Sequence, residues 1–445
     1  MNVEIDLCTR VEGQGRIYYS FQNGQISSVN FEVYGFRNFE NLLVNKKLIE
    51  VPRITSRICG LCHVAQSIVS CKAIENMFNI TPSKHTVLLR RLLMTGDYIK
   101  SHIAHIFFQT FSDLLYILRE EKKNIAPNEI IKYDPEITSH AFNLIKYSSA
   151  IVNILGGRFI HPVTPAIGGF YYTPSKRNIE SLKKYFAESF NSLKIIIKKF
   201  IDLFHKISPP DEFSFGNPVF MGLNNDSYFD IYEGIIRIKD NDGILSYFDV
   251  NKYTDYLKRE DRAEIYINFN GQKELFVGPI GRYNIVENYG NGIVDNYLDY
   301  FNKTWKSSLL FSNFLALFEL LILIDQGISI LNDQKLTRPE PTNSTNIIKK
   351  REGIGVLEAP RGLLIHDYKV NENKNILDKA RLFIPTEMNI PLINKILTRY
   401  CKNFYSTTQD LDRMKYNAQI ILRSFDPCIS CATHFVNKID CKRCE

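Results

Sequence analysis

The stretch RICGLC, at residues 57–62, contains a Cys-x-x-Cys pair, and a second pair lies in DPCISCATH, at residues 426–434 near the other end of the 445-residue chain. Each pair places two thiolates within reach of one metal ion, so together they offer four soft sulfur ligands. A zinc knuckle usually joins its two pairs through a loop of about 15–20 residues, and these pairs are far more widely separated. The spacing favours a metal bound in the core of a finished fold, and a structural four-cysteine zinc site stays open as the alternative.

The composition is that of an ordinary soluble globular protein. Hydrophobic residues make up 44% and charged residues 23% of the chain, which is enough for a large buried core at this length. The formal net charge is +7, but the sequence has no arginine-rich, aromatic-interleaved motif of the kind that binds RNA, so no nucleic-acid partner is predicted. The nine cysteines indicate reduced thiols and metal binding rather than disulfide bonds.

The N-terminus and the longest apolar stretch bear on where the protein is located. Residues 1–6, MNVEID, lack the basic and apolar regions of a secretory signal, which predicts a cytoplasmic protein, with membrane association through partner subunits left open. Leu309–Leu331 is apolar but contains Asn313, Glu319 and Asp325, whose side chains are costly in lipid. We therefore predict that this stretch is a buried core helix.

The pattern of apolar residues predicts a helical core with small sheets. Alternating residues on both sides of Asn23-Gly24 indicate an N-terminal β-hairpin. Helices are predicted at residues 67–78, 86–121, 139–156, 179–206, 296–332 and 388–402, with room for a kink in the second. Residues 207–290 are more polar and contain short strand-like runs, which indicates a small β-containing excursion.

Both cysteine stretches resemble signatures of the large, catalytic subunit of nickel–iron hydrogenases. The resemblance implies a mainly α (α+β) fold with a long-helix core and small peripheral β-sheets. It also implies one domain over residues 1–445, with a β-rich segment at 1–51, the excursion at 207–290 and a cleavable extension at 435–445. The implied activity is the reversible heterolytic cleavage of dihydrogen into protons and electrons.

The resemblance further implies a nickel–iron centre with cyanide and carbon monoxide on the iron. In this family two cysteines bind nickel terminally and two bridge nickel and iron. By their positions in the motifs, Cys59 and Cys428 are the terminal ligands. Cys62 and Cys431 are the bridging ligands.

Two glutamates match family residues with separate roles. Glu12, in the stretch RVEG, matches the glutamate that passes protons to and from a nickel-bound cysteine, a role that needs a carboxyl pKa tuned by burial. Glu40 matches a glutamate that holds magnesium or iron at a second site together with the motif's histidine, here His434, through hard ligands. The alternatives are a solvated loop carboxylate or helix cap for Glu12 and an ordinary surface glutamate for Glu40.

The segment EAPRG, at residues 358–362, matches the motif whose arginine and preceding proline stand over the open side of the metal centre. The resemblance thereby places Arg361 and Pro360 at the site. It adds two aspartates, Asp113 and Asp426, whose carboxylates would hold the guanidinium and its charge in place. A charge on a helix surface is the alternative for Asp113.

Histidine and glutamine positions complete the comparison with the family. His161 matches a segment that lines the site region, whereas His102 and His105 match histidines with a structural role. Gln14 and Gln66 stand where many family members have histidine. Gln66 is expected near a bridging sulfur and the iron, where an amide can donate a hydrogen bond but cannot be protonated.

Other proteins are expected to complete the function. In many family members a protease removes the residues after the motif's histidine once nickel is loaded, which predicts a maturation protease and cleavage after His434. The cysteines outside the two pairs are too scattered for an iron–sulfur cluster, so electrons are predicted to leave through an iron–sulfur small subunit. The alternatives are a scaffold closed by structural zinc and a degenerate or sensory hydrogenase-like subunit.

Overall fold

The computed structural model describes residues 2–35, 37–118, 129–205, 208–225, 228–259, 267–286, 289–333, 336, 349–371 and 375–432. The first eight α-helices are α1 (Phe39–Leu43), α2 (Val51–Thr55), α3 (His63–Phe78), α4 (Lys84–Ala104), α5 (Phe111–Leu118), α6 (Glu129–Tyr133), α7 (Pro135–Gly156) and α8 (Lys176–Phe204). The next are α9 (Tyr253–Tyr256), α10 (Pro279–Ile285), α11 (Gly292–Leu298), α12 (Lys303–Lys306), α13 (Ser312–Leu331), α14 (Pro385–Thr408), α15 (Leu411–Arg423) and α16 (Ile429–Ala432). A π-helical segment, His105–Thr110, joins α4 to α5.

Four of the longer helices begin where a side chain caps the first turn. A short polar side chain at this position accepts a hydrogen bond from a backbone N–H group that has no partner within the helix. The capping residues are Ser83 for α4, Asp134 for α7, Ser175 for α8 and Asp410 for α15. These helix starts are therefore encoded locally, by the residue just before each apolar pattern.

The helical core is formed by α4, α7, α8 and α13, which pack against one another. Leu309–Leu331 is apolar and long enough to cross a membrane, but most of it is buried in the fold. Glu319 on α13 forms a fully buried ion pair with Arg282 on α10, at 2.7 Å. A polar group of this kind is satisfied within the protein, which confirms the predicted core helix.

The strands form small sheets around this core. They are β1 (Asn2–Leu7), β2 (Gly15–Gln22), β3 (Gln25–Val33), β4 (Pro165–Ala166), β5 (Gly169–Phe170), β6 (Val219–Asn225), β7 (Tyr228–Phe229), β8 (Ile235–Lys239), β9 (Leu245–Phe248), β10 (Leu257–Arg259), β11 (Ile267–Phe269), β12 (Leu275–Phe276), β13 (Glu352–Ala359), β14 (Gly362–Val370) and β15 (Leu377–Phe383). Antiparallel pairing joins β1 to β2 to β3, and also β13 to β14 to β15. In the excursion the order is β12-β6-β8-β9, with β12 parallel to β6.

The close contact between α3 and β13 positions the site. A Cβ atom on Gly355 of β13 would lie 2.2 Å from the carbonyl oxygen of Val69 on α3, and one on Gly353 would lie 2.2 Å from that of Ala73. Only glycine allows the strand to approach the helix so closely. Because α3 follows the first cysteine pair and β13 leads into Arg361, this contact sets the distance between the first cysteine pair and Arg361.

The predicted hairpin and most of the predicted helices are confirmed, including the interrupted helix that became α4 and α5. The single helix predicted at residues 296–332 is wrong, because Asn302 and Ser308 accept hydrogen bonds from backbone N–H groups and begin new turns. The sheet β13-β14-β15 was not predicted. Its first two strands are buried on both faces, so they lack the alternation that marks a half-exposed strand.

Candidate metal centre

The two cysteine pairs meet in the core of the protein. The four sulfur atoms all lie within 4.8 Å of one another, and all four residues are buried. The sulfur of Cys428 is 2.9 Å from that of Cys431 and 3.4 Å from that of Cys59, and the sulfurs of Cys62 and Cys431 are 3.1 Å apart. The first pair lies in the turn before α3, and the second at the start of α16.

Two other segments hold the second pair in place. The N–H of Cys428 donates to the hydroxyl of Thr386 at 2.9 Å, and the N–H of Ile429 donates to the carbonyl of Glu12 at 3.0 Å. Residues 12 and 428 thereby form a parallel bridge between the two ends of the chain. The loop before β2 and the start of α14 thus locate the sulfurs.

The sulfurs are too close together to ionise independently. Hydrogen bonds from the thiols of Cys428, Cys431 and Cys62 lower the pKa of Cys59 well below its usual value. Burial, together with these contacts, raises the pKa of Cys428 and of Cys431. The negative charge of one thiolate therefore opposes ionisation of the other thiols, because the charge of Cys59 raises the pKa of Cys62 and of Cys431. A bound cation would allow the others to ionise, as expected for a thiolate-ligated metal.

Arg361 lies in the turn between β13 and β14 and is buried, with 4% of its surface exposed. Its Nε donates to the carbonyl oxygen of Asp426 at 2.9 Å, and its Nη2 donates to a carboxylate oxygen of the same residue at 2.9 Å. Its Nη1 donates to the hydroxyl of Ser101 at 3.0 Å. Because Asp426 is two residues from Cys428, the guanidinium is held beside the cysteine cluster. The carbonyl of Pro360 accepts from Arg282 at 3.0 Å, which fixes the turn.

Glu12 contacts the cluster directly. The thiol of Cys428 donates to Oε2 of Glu12 at 3.3 Å. The same carboxylate accepts from the N–H of Ser430 at 3.1 Å and from the Ser430 hydroxyl. Burial raises the pKa of Glu12, and the negative charge of Cys59 raises it further. A half-buried carboxyl group with a raised pKa on a metal-binding sulfur is suited to proton exchange.

Gln66, on α3, contacts the cluster at Cys431. Its Nε2 is 3.6 Å from the sulfur of Cys431, and its Oε1 lies 2.8 Å from Nε2 of His366. The ring of His366 continues to the Tyr368 hydroxyl at 2.6 Å. When Nε2 of His366 is protonated, it donates a hydrogen bond to the amide oxygen of Gln66. This hydrogen bond fixes the amide so that its N–H₂ group faces the sulfur of Cys431. Sequence analysis did not anticipate that His366 orients Gln66.

Comparison with known proteins agrees with this geometry. The family model described as nickel-dependent hydrogenase matches residues 37–129 and 315–434, which contain both cysteine pairs. Over these segments the chain is similar to the nickel-dependent hydrogenase family. It is 28% identical to the alpha subunit of sulfhydrogenase 1 of Pyrococcus furiosus, over 98% of each chain. It is 27% identical to a subunit of the F420-non-reducing hydrogenase vhc of Methanococcus voltae, over 98% of this chain and 95% of that protein.

Solved hydrogenase structures have the same fold. An NAD+-reducing NiFe hydrogenase in the H2-reduced state gives a TM-score of 0.89 at 24% identity, over 98% of this chain and all of the other. The Ni-Fe-Se hydrogenase of D. vulgaris Hildenborough gives a TM-score of 0.76 at 18% identity, over 97% of this chain. These matches confirm the predicted hydrogenase large-subunit fold.

The position of Asp113 corrects the prediction that it accompanies Arg361. Asp113 accepts from Arg10 at 2.6 Å and from Arg423 at 2.7 and 3.0 Å, whereas Ser101 takes the place expected for it beside Arg361. Asp113 lies 12 residues after Ser101, which is about 18 Å along a helix. The residue that the sequence analysis overlooked is Ser101, which directly precedes His102 in the stretch SHIAH at residues 101–105.

The buried and half-buried histidines around the site each contact a different group. Nδ1 of His161 is 2.7 Å from the carbonyl of Ser56, and its ring lies 5.7 Å from the ring of His63, the residue after Cys62. His161 is therefore close to the segment that carries the first cysteine pair, through its contacts with Ser56 and His63. Buried His63 also faces Asp97, 3.4 Å away, a pair that the motifs did not reveal. His102 lies 3.6 Å from Glu319 and His105 2.7 Å from the carbonyl of Arg423, in agreement with structural roles.

The proposed second metal site does not fit the described contacts of Glu40. Its Oε1 accepts from Arg259 at 2.9 Å and from the N–H of Leu382 at 2.7 Å. A guanidinium therefore lies where a divalent ion was expected. His434 and the extension at residues 435–445 lie outside the described residues. Gln14 is exposed, and its carbonyl accepts from the N–H of Tyr34.

Proposed function

We propose that this chain is the catalytic subunit of a nickel–iron hydrogenase, which interconverts dihydrogen with protons and electrons. The observation that carries the proposal is the cluster of four buried cysteine sulfurs within 4.8 Å of one another. A structural zinc site would need only these sulfurs. It would have no use for the carboxyl of Glu12 on Cys428 or for the guanidinium of Arg361 beside it.

The four cysteines fit the metals of the family. Thiolates are soft ligands that bind nickel and iron well, and four close sulfurs need a cation in order to ionise together. In this proposal Cys59 and Cys428 would hold nickel, and Cys62 and Cys431 would provide sulfur ligands to both nickel and an iron that carries cyanide and carbon monoxide. When bound, this centre supplies the site at which dihydrogen is polarised and split.

In the proposed mechanism, Glu12 moves the proton. The proton passes from Sγ of Cys428 to Oε2 of Glu12, across the contact of 3.3 Å. The N–H of Ser430 holds the receiving carboxylate in place at 3.1 Å. The raised pKa of Glu12, caused first by burial, brings proton uptake and release closer to neutral pH, where a general acid–base is most effective.

Arg361 supplies a fixed positive charge. Its three hydrogen bonds to Asp426 and Ser101 leave the guanidinium no freedom to rotate away. A charge that is already oriented in a buried site stabilises developing negative charge without reorganisation. We propose that Arg361, with Pro360 and Asp426, favours charge separation in dihydrogen, and that Gln66 donates a hydrogen bond to the sulfur of Cys431.

Partner proteins and location belong to the same proposal. Within the described residues, the four-cysteine group is the one cluster of metal-ligating side chains that includes cysteine; Cys8, Cys71 and Cys401 lie on or beside separate elements. Electrons would therefore leave through an iron–sulfur small subunit. We also propose a cytoplasmic location, a single domain over residues 1–445 and removal of residues 435–445 by a maturation protease.

Infrared spectroscopy of the purified complex, combined with nickel, iron and zinc quantitation, tests the proposal. We expect sharp cyanide and carbonyl bands and about one nickel per chain. The Cys62→Ser variant should lose both, whereas Cys8→Ser, which changes a half-buried thiol outside the cluster, should keep both. Zinc without these bands in the matured wild type would overturn the proposal. Bands without dihydrogen turnover would favour a sensory role.

A further inference from the structure

Arg259, the last residue of β10, makes a set of contacts that brings three segments together. Its Nη1 donates to Oε1 of Glu40 at 2.9 Å, and its Nη2 donates to the carbonyl of Leu382 at 2.5 Å. Nη2 is also 3.7 Å from a carboxylate oxygen of Glu387, on α14. The guanidinium stands over the ring of Phe383, with its central carbon 4.9 Å from the ring centroid. Both Arg259 and Glu40 have only 13% of their side-chain surface exposed.

These oxygens are of the kind that a hard divalent ion would need. Magnesium and calcium bind carboxylate and backbone carbonyl oxygens at about 2.0–2.6 Å. In this protein the Glu40 carboxylate and the Leu382 carbonyl both face the same guanidinium. The N–H of Leu382 donates to Glu40 as well, at 2.7 Å. A metal ion among these oxygens would meet a positive charge at hydrogen-bonding distance, so the two cations exclude each other.

We propose that Arg259 takes the place of a second metal ion at Glu40. The positive charge beside Glu40 then belongs to an arginine side chain of this protein and not to a bound metal ion. A guanidinium carries its charge at all physiological pH values and presents a planar fork of donors. It can therefore bridge Glu40 and Leu382 without any supply of metal. The inference concerns the cation at Glu40 alone and does not depend on whether the cysteine cluster is catalytic.

The position of Arg259 explains why a cation is useful there. Glu40 lies in the segment that leads to the first cysteine pair, and Leu382 lies at the end of β15. Glu387 is one residue beyond Thr386, which holds the N–H of Cys428. One cation thus links the segment before one cysteine pair to the segment that supports the other. Two carboxylates near a single guanidinium keep it charged and in place.

Metal analysis of the wild-type complex is the first test. After dialysis against a chelator, we expect less than about 0.1 magnesium per chain beside about one nickel. A crystal of the same complex should show no anomalous peak next to Glu40 at the iron absorption edge. Magnesium near one per chain that is lost in Glu40→Gln, or an iron peak bonded to Glu40, would overturn the inference. The nickel count separately tests the hydrogenase function.

Substitution of the arginine gives a second test. Arg259→Ala removes the guanidinium and leaves Glu40 and Leu382 with oxygens that magnesium can bind. We expect a lower thermal midpoint than in the wild type, raised again by millimolar magnesium, whereas magnesium leaves the wild-type midpoint unchanged. Arg381→Ala is the matched control, because it removes an ion pair between Arg381 on β15 and Asp367 on β14, in the sheet that contains Leu382. This variant should show no magnesium response. An equal magnesium response in the wild type would overturn the inference.

Discussion

At the scale of single residues, the contact between Glu12 and Cys428 is the one on which proton transfer depends. Glu12→Gln keeps the shape of the side chain and can still accept from the N–H of Ser430, but the amide cannot take up a proton. We expect dihydrogen oxidation to fall about 10²–10⁴-fold, with nickel content and infrared bands unchanged. Activity with an artificial electron acceptor measures the effect. Glu50→Gln, at an exposed position, is the control, and equal activity of both variants would exclude Glu12 as the relay.

Ser101 contacts Arg361, whereas Asp113 pairs with Arg10 and Arg423, and two substitutions test these separate roles. Asp113→Asn removes the negative charge of a buried carboxylate that pairs with two guanidinium groups. We therefore expect the free energy of unfolding to fall by about 3–5 kcal/mol, with unchanged infrared bands. Ser101→Ala removes a hydrogen bond from Arg361, so we expect lower activity with little change in stability. Thermal unfolding and activity of both complexes provide the measurement. Low activity at wild-type stability in Asp113→Asn would restore it to the site beside Arg361.

At the scale of secondary-structure elements, the packing of β13 on α3 controls how far Arg361 lies from the first cysteine pair. Gly355→Val would place a Cβ atom 2.2 Å from the carbonyl of Val69 and force the strand away from the helix. Because Val favours strands, the effect would be steric, and we expect a strong loss of bound nickel. Gly292→Ala, whose Cβ would meet no atom within 4 Å, is the control. Normal nickel content in Gly355→Val would contradict this role for the contact.

At the scale of the whole molecule, the cysteine cluster joins the two ends of the chain. Metal binding to the folded state alone stabilises that state by mass action, and here the ligands come from two segments that are far apart in the sequence. We expect a higher thermal midpoint in the complex purified with nickel than in the nickel-deprived complex. Hydrogen exchange should also be slower at residues 57–62 and 426–432. Cys428→Ala should abolish both differences; if it preserves them, the metal lies elsewhere.

The sequence by itself determined the soft ligands of the site, the proton-relay candidate and the main helices. Most of these features are local: a Cys-x-x-Cys spacing, a capping side chain and a helical repeat can each be recognised in a few neighbouring residues. Glu12 became the relay candidate only through the resemblance of the stretch RVEG to the family's segment. The N-terminal hairpin was equally clear, because Asn23-Gly24 encodes its turn.

Only the tertiary structure decided which charged groups face one another. Asp113 pairs with Arg10 and Arg423, and Glu40 pairs with Arg259; these partners lie far apart in the chain. The sheet β13-β14-β15 was hidden for a related reason, since its first two strands are buried on both faces and show no alternation. Ion pairs and doubly buried strands depend on what packs against them, and that information is spread over the whole sequence.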